Sequence, residues 1–418
     1  MSGRTSLKAI SLYTGVGGLD FGFEAAGYRT VTAVENDPIA CDFLSKHRKS
    51  WNLIPHDIAR VVKSNSILAP SGLRAREVDI LIGGPPCQPF SKSGYWANGD
   101  TRRLEDPRAN TLKHYFEIMR DTLPRAFLLE NVLGLSYTGK SEGIALIQRE
   151  IAAINKKHGT NYSVQVQPLN AYRFGVPQLR ERVFVVGARD GRPFRFPRAT
   201  HGSPEEIGEG EGKDLALYTT AWDAIGHLPE DSNNPELAIT GKWADLLPTI
   251  PEGQNYLWHT PRGGGQPLFG WRTRYWNFLL KLSKRQPSWT IQAQPGPATG
   301  PFHWRNRKLS AEELSQLQTF PKNLYFSDLK HSDVQRLIGN AVPSALAEVL
   351  AREIRTQLLG AKAVPGEASL IPKKKRKIPP AERALAVPKK YLALVGAHAE
   401  HPGTGKGAGA LRRLRQVA

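Results

Sequence analysis

The chain has 418 residues, of which 40% are hydrophobic and 23% charged, so it can bury a large core, and we expect it to divide into two lobes. No apolar run approaches the roughly 18 residues of a membrane span, and the first residues lack the pattern of a secretion signal. We therefore expect an intracellular protein without a membrane partner. The two cysteines, Cys41 and Cys87, exclude a disulfide framework and are predicted to be free thiols.

The formal net charge of +19 is concentrated near the C-terminus. Residues 361–418 contain 13 Lys and Arg against 3 Glu and so carry about +10 of that total. A basic body with a basic tail favours a polyanionic partner, of which nucleic acid is the commonest. A merely well-solvated surface is the alternative.

The first third of the chain begins with a nucleotide-binding pattern. A strand is predicted over 7–14, a helix follows up to Ala26, and a second strand over 28–35 ends on Glu35. Glu35 can accept hydrogen bonds from ribose hydroxyls, and glycines in the first turn let the main chain approach a ligand. These glycines are Gly15, Gly17 and Gly18.

Strands and helices continue to alternate after Glu35. This order predicts an α/β fold with a doubly wound, mainly parallel sheet covered by helices on both faces. The further predicted elements are a helix over 38–48, a strand over 78–84, a helix over 111–123, a strand over 126–132, a helix carrying Ile144 to Ile154, and strands over 162–167 and 182–188.

Polar residues fall at the ends of three of these strands, where ligands and catalysis gather in such sheets. Cys87 follows one strand, Glu130 ends the next, and Arg180 and Arg182 lie at the start of the last. A thiol near arginines has a lowered pKa and can act as a nucleophile. Taken singly, Cys87 could equally be a buried structural thiol, and Glu130 a strand-end carboxylate in a salt bridge.

In their order along the chain, these segments resemble the motifs of the DNA cytosine carbon-5 methyltransferases of bacterial restriction-modification type. The resemblance covers about residues 5–360. The segments that carry it are SLYTGVGGLDFGFEAAGY, VENDPIAC, HDI at 56–58, GGPPCQPFSKSG, LLENVLGL, QLRERVFVVG, RKLSAEELSQLQTFP and IGNAVPSALAEVLAREI.

The resemblance implies a covalent mechanism. Cys87 would add to carbon 6 of a cytosine flipped out of the duplex, and Glu130 would neutralise the charge that develops on ring nitrogen 3. Arg182 would orient the base oxygen, with Arg180 behind it. Gln88 and Ser91 would hold the distorted strand.

The resemblance also implies S-adenosylmethionine as the methyl donor and no metal. Tyr13 takes a position that is usually Phe in the family and would stack on the adenine. Glu35 would hold the ribose. The implied cofactor residues are Tyr13, Gly15, Gly17, Gly18, Glu35, Asn36, Asp57, Ile58, Pro86, Asn340 and Val342.

The composition of the sequence changes at Ala188, and Gly, Pro and six of the nine Trp accumulate between this residue and Trp289. By resemblance, this second, smaller lobe reads DNA. About four of the six Trp are expected to form its core, and the candidate DNA contacts are Arg262, Gln266, Arg272 and Arg274. The predicted division is a catalytic domain over 1–187, a recognition domain over 188–287, a return to the catalytic domain over 288–360, and a basic, possibly disordered tail over 361–418.

The tail departs from the family pattern and leaves three interpretations open. IPKKKRKIPP is similar to a nuclear import signal, although the rest of the chain resembles bacterial enzymes. A disordered arm that holds DNA electrostatically is favoured, and a solvated extension is the third possibility.

Three other functions are alternatives. Amino-group methyltransferases need no cysteine nucleophile, which argues against them. A transfer-RNA cytosine-5 methyltransferase would be expected to carry a shorter insert, and a non-catalytic DNA-binding regulator would be expected to lack Cys87 or Glu130. The predicted protein is a monomeric, cytoplasmic DNA methyltransferase that associates with the nucleoid when on DNA and has a restriction endonuclease as its functional partner.

Overall fold

A seven-stranded sheet forms the centre of the molecule, in the order β3-β2-β1-β4-β5-β8-β6. The structure is a computed structural model that describes residues 6–86, 110–136, 142–208, 212–230, 234–271, 275–374 and 377–396. The strands of this sheet are β1 (Leu7–Leu12), β2 (Tyr28–Val34), β3 (Asn52–Ile54), β4 (Ile80–Gly83), β5 (Ala126–Asn131), β6 (Gln165–Asn170) and, after the short β7 (Gln178–Leu179), β8 (Glu181–Ala188).

Strands β1 to β5 run parallel, and β8 runs antiparallel between β5 and β6. The predicted doubly wound, mainly parallel α/β fold is therefore confirmed. Because β8 is reversed, it begins at the edge of the sheet where β5 ends, and Asn131 pairs with Val183. This reversal brings Arg182 beside Glu130.

Helices cover both faces of the sheet, and the remaining strands are short pairs outside it. The helices are α1 (Gly18–Ala25), α2 (Pro38–His47), α3 (Ile58–Ser64), α4 (Asn110–Thr122), α5 (Glu142–His158), α6 (Ala221–Ile225), α7 (Ala311–Leu317), α8 (His331–Asn340), α9 (Ser344–Gln357) and α10 (Lys389–Leu392). The short strands are β9 (His201–Gly202), β10 (Ala216–Leu217) and β11 (Ser288–Trp289).

Helix α9 returns the end of the catalytic domain to the first strand and helix. Glycines allow this contact, since a Cβ at Gly18 would lie 2.5 Å from the carbonyl oxygen of Val342, and one at Gly22 would lie 2.4 Å from that of Ser344. The Ser344 hydroxyl donates to the carbonyl of Gly18 at 3.0 Å. The last motif of the sequence thus lies against the first.

Most predicted elements differ from the observed ones by one to three residues. The largest shift is in β6, which spans 165–170 instead of 162–167. Its register is decided by pairing with β8, in which Asn170 lies opposite Glu181. Sequence periodicity does not report such a partner.

The smaller lobe has an apolar core of its own, which uses only part of the predicted segment 188–287. Phe194 and Phe196 pack on the main core, and α6 packs among the helices of the catalytic domain. The buried core of the lobe consists of Leu246, Leu247, Ile250, Tyr256, Leu268, Leu279, Phe302 and Tyr391. Phe302 and Tyr391 come from outside the predicted range.

The first part of the C-terminal segment packs on α9. The fully buried Glu348 carboxylate accepts hydrogen bonds from the backbone N–H of Ser369 at 2.7 Å and of Leu370 at 2.9 Å. Leu370 and Ile371 lie against the main core. Residues 361–374 therefore satisfy a buried carboxylate of the catalytic domain.

The segment then crosses to the smaller lobe. The Lys284 ammonium, whose side chain is 2% exposed, donates to Glu252 at 2.8 Å, to the carbonyl of Pro380 at 3.0 Å and to Glu382 at 2.7 Å. Tyr391 stacks on the indole ring of Trp243 in the smaller lobe. These contacts join the tail to both parts of the molecule.

The expectation of a disordered arm is therefore wrong for residues 361–374 and 377–396. Composition suggested disorder, but a few apolar side chains and buried charges in the body of the protein supply enough partners to order the segment. Lys375, Arg376 and residues 397–418 lie outside the described residues.

Candidate active site

A cavity of about 560 Å³ opens at the edge of the sheet where β1, β4 and β5 end. It joins residues from the beginning, middle and end of the chain, as expected for a ligand site in an open α/β sheet. Predicted site residues that line it are Tyr13, Gly15, Gly18, Glu35, Asn36, Pro86, Glu130, Arg182, Asn340 and Val342.

The loop between β1 and α1 shapes one wall of this cavity. Gly15 and Gly17 have φ angles of 56° and 88°, in the left-handed region that favours glycine, and Tyr13 adopts φ 55°. Gly17 caps α1 without lining the cavity. The glycines therefore serve the sharp turn that the sequence pattern indicated.

Glu35 holds this loop closed. One carboxylate oxygen accepts the N–H of Gly15 at 2.6 Å, and the other accepts those of Asn36 at 2.9 Å and Asp37 at 2.8 Å. Because a carboxylate has about four acceptor positions, roughly one stays open for a ligand. Glu35 thus has a structural task in addition to the predicted contact with ribose.

A second compartment of about 330 Å³ adjoins the first and shares Tyr13, Glu35, Asn36 and Pro86 with it. Asp57 and Ile58 line the second compartment only. Asp57 caps α3 by accepting the N–H of Ala59 at 2.8 Å, and the Asn36 amide donates to it at 3.3 Å.

Glu130 and Arg182 form an ion pair in the wall of the larger cavity. Arg182 Nε lies 3.0 Å from Glu130 Oε1, and the side chains are 18% and 12% exposed. Burial raises the pKa of the Glu130 carboxyl above its ordinary value, while the charges of Arg182 and Arg180 oppose that rise. Gly84 permits the approach, since a Cβ there would lie 2.9 Å from Glu130 Oε2.

Arg180 lies beneath the cavity. Its buried guanidinium donates to the carbonyls of Ile291 at 3.2 Å and Gly339 at 2.8 Å, and it does not line the cavity. Burial, together with the charge of Arg182, lowers its pKa well below the ordinary value. Arg180 thus supports the main chain next to Asn340. This position does not match a direct catalytic contact of Arg180.

The predicted nucleophile lies outside the described residues, as do Gln88, Ser91, Arg272 and Arg274. The chain leading to Cys87 is described as far as Pro86. The Asn131 amide donates to the carbonyl of Pro85 at 3.2 Å, and the Thr111 hydroxyl donates to that of Pro86 at 3.3 Å. These bonds fix the entrance to the segment that carries Cys87.

The second cysteine, Cys41, has a different environment. Its thiol donates to the carbonyl of Glu35 at 3.4 Å. Burial, with the charges of Glu35 and Asp37, raises the pKa of Cys41 to about 11. Cys41 therefore remains a protonated thiol and is a poor nucleophile.

Asn131, Asp20 and Arg336 are among the residues that line the cavity and that sequence reasoning missed. Asn131 directly follows Glu130 in the quoted motif and could have been included. Asp20 could have been noticed as a carboxylate in the first turn of a mostly buried helix. Arg336, which lies 2.5 Å from Asp37 across 299 residues of sequence, carried no local signal.

Asp20 is fully buried beneath the cavity. Its carboxylate accepts hydrogen bonds from the hydroxyls of Ser11 at 2.9 Å and Thr30 at 2.8 Å, so it ties α1 to β1 and β2. Burial raises the pKa of Asp20 to about 7, against the opposing effect of these two hydrogen bonds.

The smaller lobe exposes an aromatic surface beside the predicted DNA contacts. Arg262 lies over the Trp271 ring, with its guanidinium carbon 4.1 Å from the ring centroid. Trp271, Tyr275 and Trp276 are 43%, 52% and 40% exposed. Gln266 is also exposed. The four remaining tryptophans of the insert are at least partly buried: Trp222, Trp243, Trp258 and Trp289.

Within the described ranges, no three or more His, Cys, Asp or Glu side chains form a group that could hold a metal ion. In the same part of the chain, no helix has the length and apolar character needed to span a membrane.

Comparison with known proteins decides the family. The sequence profile described as C-5 cytosine-specific DNA methylase matches residues 7–356. The chain belongs to this family. It is therefore a DNA cytosine-5 methyltransferase, and members of the family depend on S-adenosylmethionine. The function predicted from the sequence is confirmed.

Among curated relatives, the methylase is 39% identical to the type II methyltransferase M.SacI of Streptomyces achromogenes over 374 residues, which cover 84% of this chain and 93% of that protein. It is 34% identical to the type II methyltransferase M.NgoFVII of Neisseria gonorrhoeae, covering 83% and 86% of the two chains. The chain is thus homologous to restriction-modification methyltransferases.

Solved structures confirm the fold of the methylase. A mutant of Spodoptera frugiperda DNMT2 superposes with a TM-score of 0.55 at 18% identity, covering 84% of this chain and 99% of that one. A prophage-encoded E. coli protein described as a DNA modification methyltransferase superposes with a TM-score of 0.58 at 20% identity, covering 85% and 100%.

Proposed function

We propose that this methylase transfers a methyl group from S-adenosylmethionine to a flipped cytosine within a short duplex sequence, through a covalent adduct on Cys87. One observation carries the proposal. The Glu130–Arg182 pair lines the same cavity as the β1-α1 loop and Pro86, the residue directly before Cys87.

The two compartments fit S-adenosylmethionine. Their volumes lie in the range of small-molecule sites. The space beside Gly15 is open, since no atom lies within 4 Å of the position that a Cβ would take there. Tyr13 would stack on the adenine, with Asp57 and Ile58 beside it. Glu35 and Asn36 would hold the ribose, while Pro86, Asn340 and Val342 would enclose the rest. The bound cofactor supplies an electrophilic methyl group on a sulfonium.

Cys87 and Glu130 would make cytosine nucleophilic. Addition of the Cys87 thiolate to carbon 6 forms a carbon–sulfur bond and moves the electron pair of the 5,6 double bond to carbon 5. That pair would then take the methyl group, and the bond from the methyl carbon to the sulfonium sulfur would break, so that the cofactor leaves as its thioether. Water or another base would take the proton from carbon 5, and the proton on nitrogen 3 would return to Glu130. The double bond would then form again and expel the Cys87 thiolate.

Glu130 would act on ring nitrogen 3 of the base. Its raised pKa favours the protonated carboxyl that can donate there, and its contact with Arg182 fixes its orientation. Arg182 would also face the base oxygen. Arg180 would act only through the main chain that it supports.

The smaller lobe would read the target sequence. Arg262 and Gln266 are exposed and can contact base edges, with Trp271 holding the guanidinium of Arg262. Arg272 and Arg274 are proposed from sequence alone, as are Gln88 and Ser91 for the distorted strand. In this assignment residues 1–187 and most of 288–360 form the catalytic domain, and the recognition domain is built mainly from 188–287, with Phe302 and Tyr391 added to its core.

The biological role proposed is protection of host DNA from a partner restriction endonuclease. Homology to type II restriction-modification methyltransferases supports this role. We further propose that the enzyme acts as a monomer in the bacterial cytoplasm, on the DNA of the nucleoid.

The deciding experiment is methylation of unmethylated genomic DNA with S-adenosylmethionine, followed by sequencing of 5-methylcytosine. We expect modification at one short recurring site. Cys87→Ser should abolish turnover while cofactor and DNA binding persist. Cys41→Ser is the matched control, because it removes the other thiol and should leave turnover intact. Full activity of Cys87→Ser would exclude the covalent mechanism.

A further inference from the structure

Tyr13 makes a hydrogen bond that its proposed stacking on adenine does not require. The hydroxyl donates to the carbonyl of Thr111 at 2.6 Å. The Thr111 hydroxyl in turn donates to the carbonyl of Pro86 at 3.3 Å. Two hydrogen bonds in series therefore link the β1-α1 loop to α4 and α4 to the end of the chain that precedes Cys87.

The two residues reached by this series flank the segment that carries the nucleophile. Pro86 directly precedes residue 87, and Thr111 is the second residue of α4, which begins at Asn110. The Thr111–Pro86 bond thus joins the points where the main chain enters and leaves 87–109. The Tyr13 hydroxyl attaches this junction to the wall shared by the two cofactor compartments.

The properties of Tyr13 favour a dedicated hydrogen bond. Its φ of 55° lies in a region that aromatic residues rarely adopt, so tertiary contacts must hold it there. Burial, with the charges of Asp57 and Glu117, raises the pKa of its hydroxyl far above the ordinary value. The hydroxyl therefore remains a donor at every pH at which the enzyme works.

We propose that Tyr13 and Thr111 are positioning residues for methyl transfer, which hold the main chain on both sides of 87–109 in register with the bound cofactor. This inference rests on the function proposed above. Tyr13 has two separable tasks: its ring faces the cofactor, and its hydroxyl sets the position of the chain that carries Cys87.

The test separates these tasks by Tyr13→Phe, which keeps the ring and removes the donor. We expect the dissociation constant for S-adenosylmethionine to stay within about twofold. The single-turnover methylation rate at saturating cofactor and DNA should fall about three- to tenfold, the effect of one hydrogen bond. Tyr28→Phe is the matched control, since it removes a buried hydroxyl that donates to Ala351 at 3.1 Å, outside the cavity.

Thr111→Val removes the second hydrogen bond with little change of shape and should slow the single-turnover rate by a similar factor. Thr111→Ser restores the donor and should restore the rate. Because the bonds act in series, the Tyr13→Phe, Thr111→Val double variant should be no slower than the slower single variant.

Three results would overturn the inference: an unchanged rate in Tyr13→Phe, a fall in rate fully explained by weaker cofactor binding, or multiplicative effects in the double variant. Failure of the proposed function looks different. It would appear as a wild-type enzyme that does not methylate, or as a Cys87→Ser variant that does.

Discussion

The cavity and the C-terminal segment differ in how far apart in the sequence their contacting residues lie. Around the cavity, the β1-α1 loop is closed by Glu35, 20 residues from Gly15, through backbone N–H groups. In the C-terminal segment, Glu382 meets Lys284 across 98 residues, and its N–H meets Glu252 across 130. A local sequence motif therefore predicts the contacts around the cavity. The sequence of the C-terminal segment shows only a basic composition and predicts none of its contacts.

The two regions also use buried charge differently. In the cavity wall, the Glu130–Arg182 pair lines open space, where the proposed function places the base. In the C-terminal segment, Glu252 and Glu382 share the ammonium of Lys284, and Glu348 accepts two backbone N–H groups. We therefore expect changes to the first pair to affect activity most, and changes to the second group to affect folding most.

Loss of the cavity carboxylate should have the largest effect. Glu130→Gln keeps the size of the side chain but removes the proton that would be donated to ring nitrogen 3. We expect the turnover number to fall about 10²- to 10⁴-fold, the usual contribution of general acid–base catalysis. Cofactor affinity should stay near that of the wild type, whereas the unfolding temperature should fall somewhat because Arg182 loses its ion-pair partner. Glu312→Gln, at an exposed position of α7, is the control. Wild-type turnover in Glu130→Gln would contradict the role of Glu130.

Truncation of the C-terminal segment should affect stability more than chemistry. Removal of 361–418 leaves Glu348 without its backbone donors and Lys284 without Glu382. We expect the free energy of unfolding in denaturant to fall by about 1–3 kcal/mol, because both buried groups lose hydrogen bonds while Glu348 keeps Arg352 and Lys284 keeps Glu252.

A shorter truncation separates the contribution of residues 361–396 from that of residues 397–418. Removal of 397–418 keeps every C-terminal contact described above, so we expect the free energy of unfolding to stay within about 0.5 kcal/mol of the wild type. Equal destabilisation by both truncations would refute the structural role of 361–396. The shorter truncation also tests whether 397–418 holds DNA, since loss of phosphate contacts would flatten the salt dependence of binding.

The last expected effect is a pH dependence of stability that arises at Asp20, in the wall of the cavity. Burial raises the pKa of Asp20 from its ordinary value of 3.8 to about 7, so the folded state holds a proton that the unfolded chain releases near pH 4. Stability from this group is complete below about pH 4 and is lost as the pH rises through 7. The wild type should therefore lose unfolding free energy between pH 4 and pH 8. Asp20→Asn should make this loss smaller by roughly 1–4 kcal/mol.

Denaturant titrations at several pH values give this difference directly. Asp42→Asn, on an exposed position of α2, controls for the removal of one carboxylate. If Asp20→Asn keeps the full pH dependence of the wild type, Asp20 is not the titrating group.

Much of the catalytic domain could be predicted because its signals are short. Alternating apolar runs located the strands of the sheet, and the glycine turn with Glu35 located the cofactor loop. Glu130 was found because it ends a buried strand. Arg336 could not be found, because its contact with Asp37 exists only after α8 has folded onto the sheet.

The positions of Arg180 and Arg182 show the same limit. They are two residues apart, and in a regular strand their side chains would share one face. Arg180 lies in the break between β7 and β8, so it does not follow the alternation of β8. Arg182 therefore reaches Glu130, whereas Arg180 reaches the carbonyls of Ile291 and Gly339, and this break is not visible in the sequence.

The sequence by itself determined the family, the chemistry and the parallel sheet, because glycine turns, strand-end carboxylates and apolar periodicity act over a few residues. Only the tertiary structure decided that Glu35 closes its own loop, that the Tyr13 hydroxyl reaches Thr111, and that residues 361–396 bind both lobes. Each of these depends on partners distant in sequence, whose contacts form when the chain packs and buried polar groups must be paired.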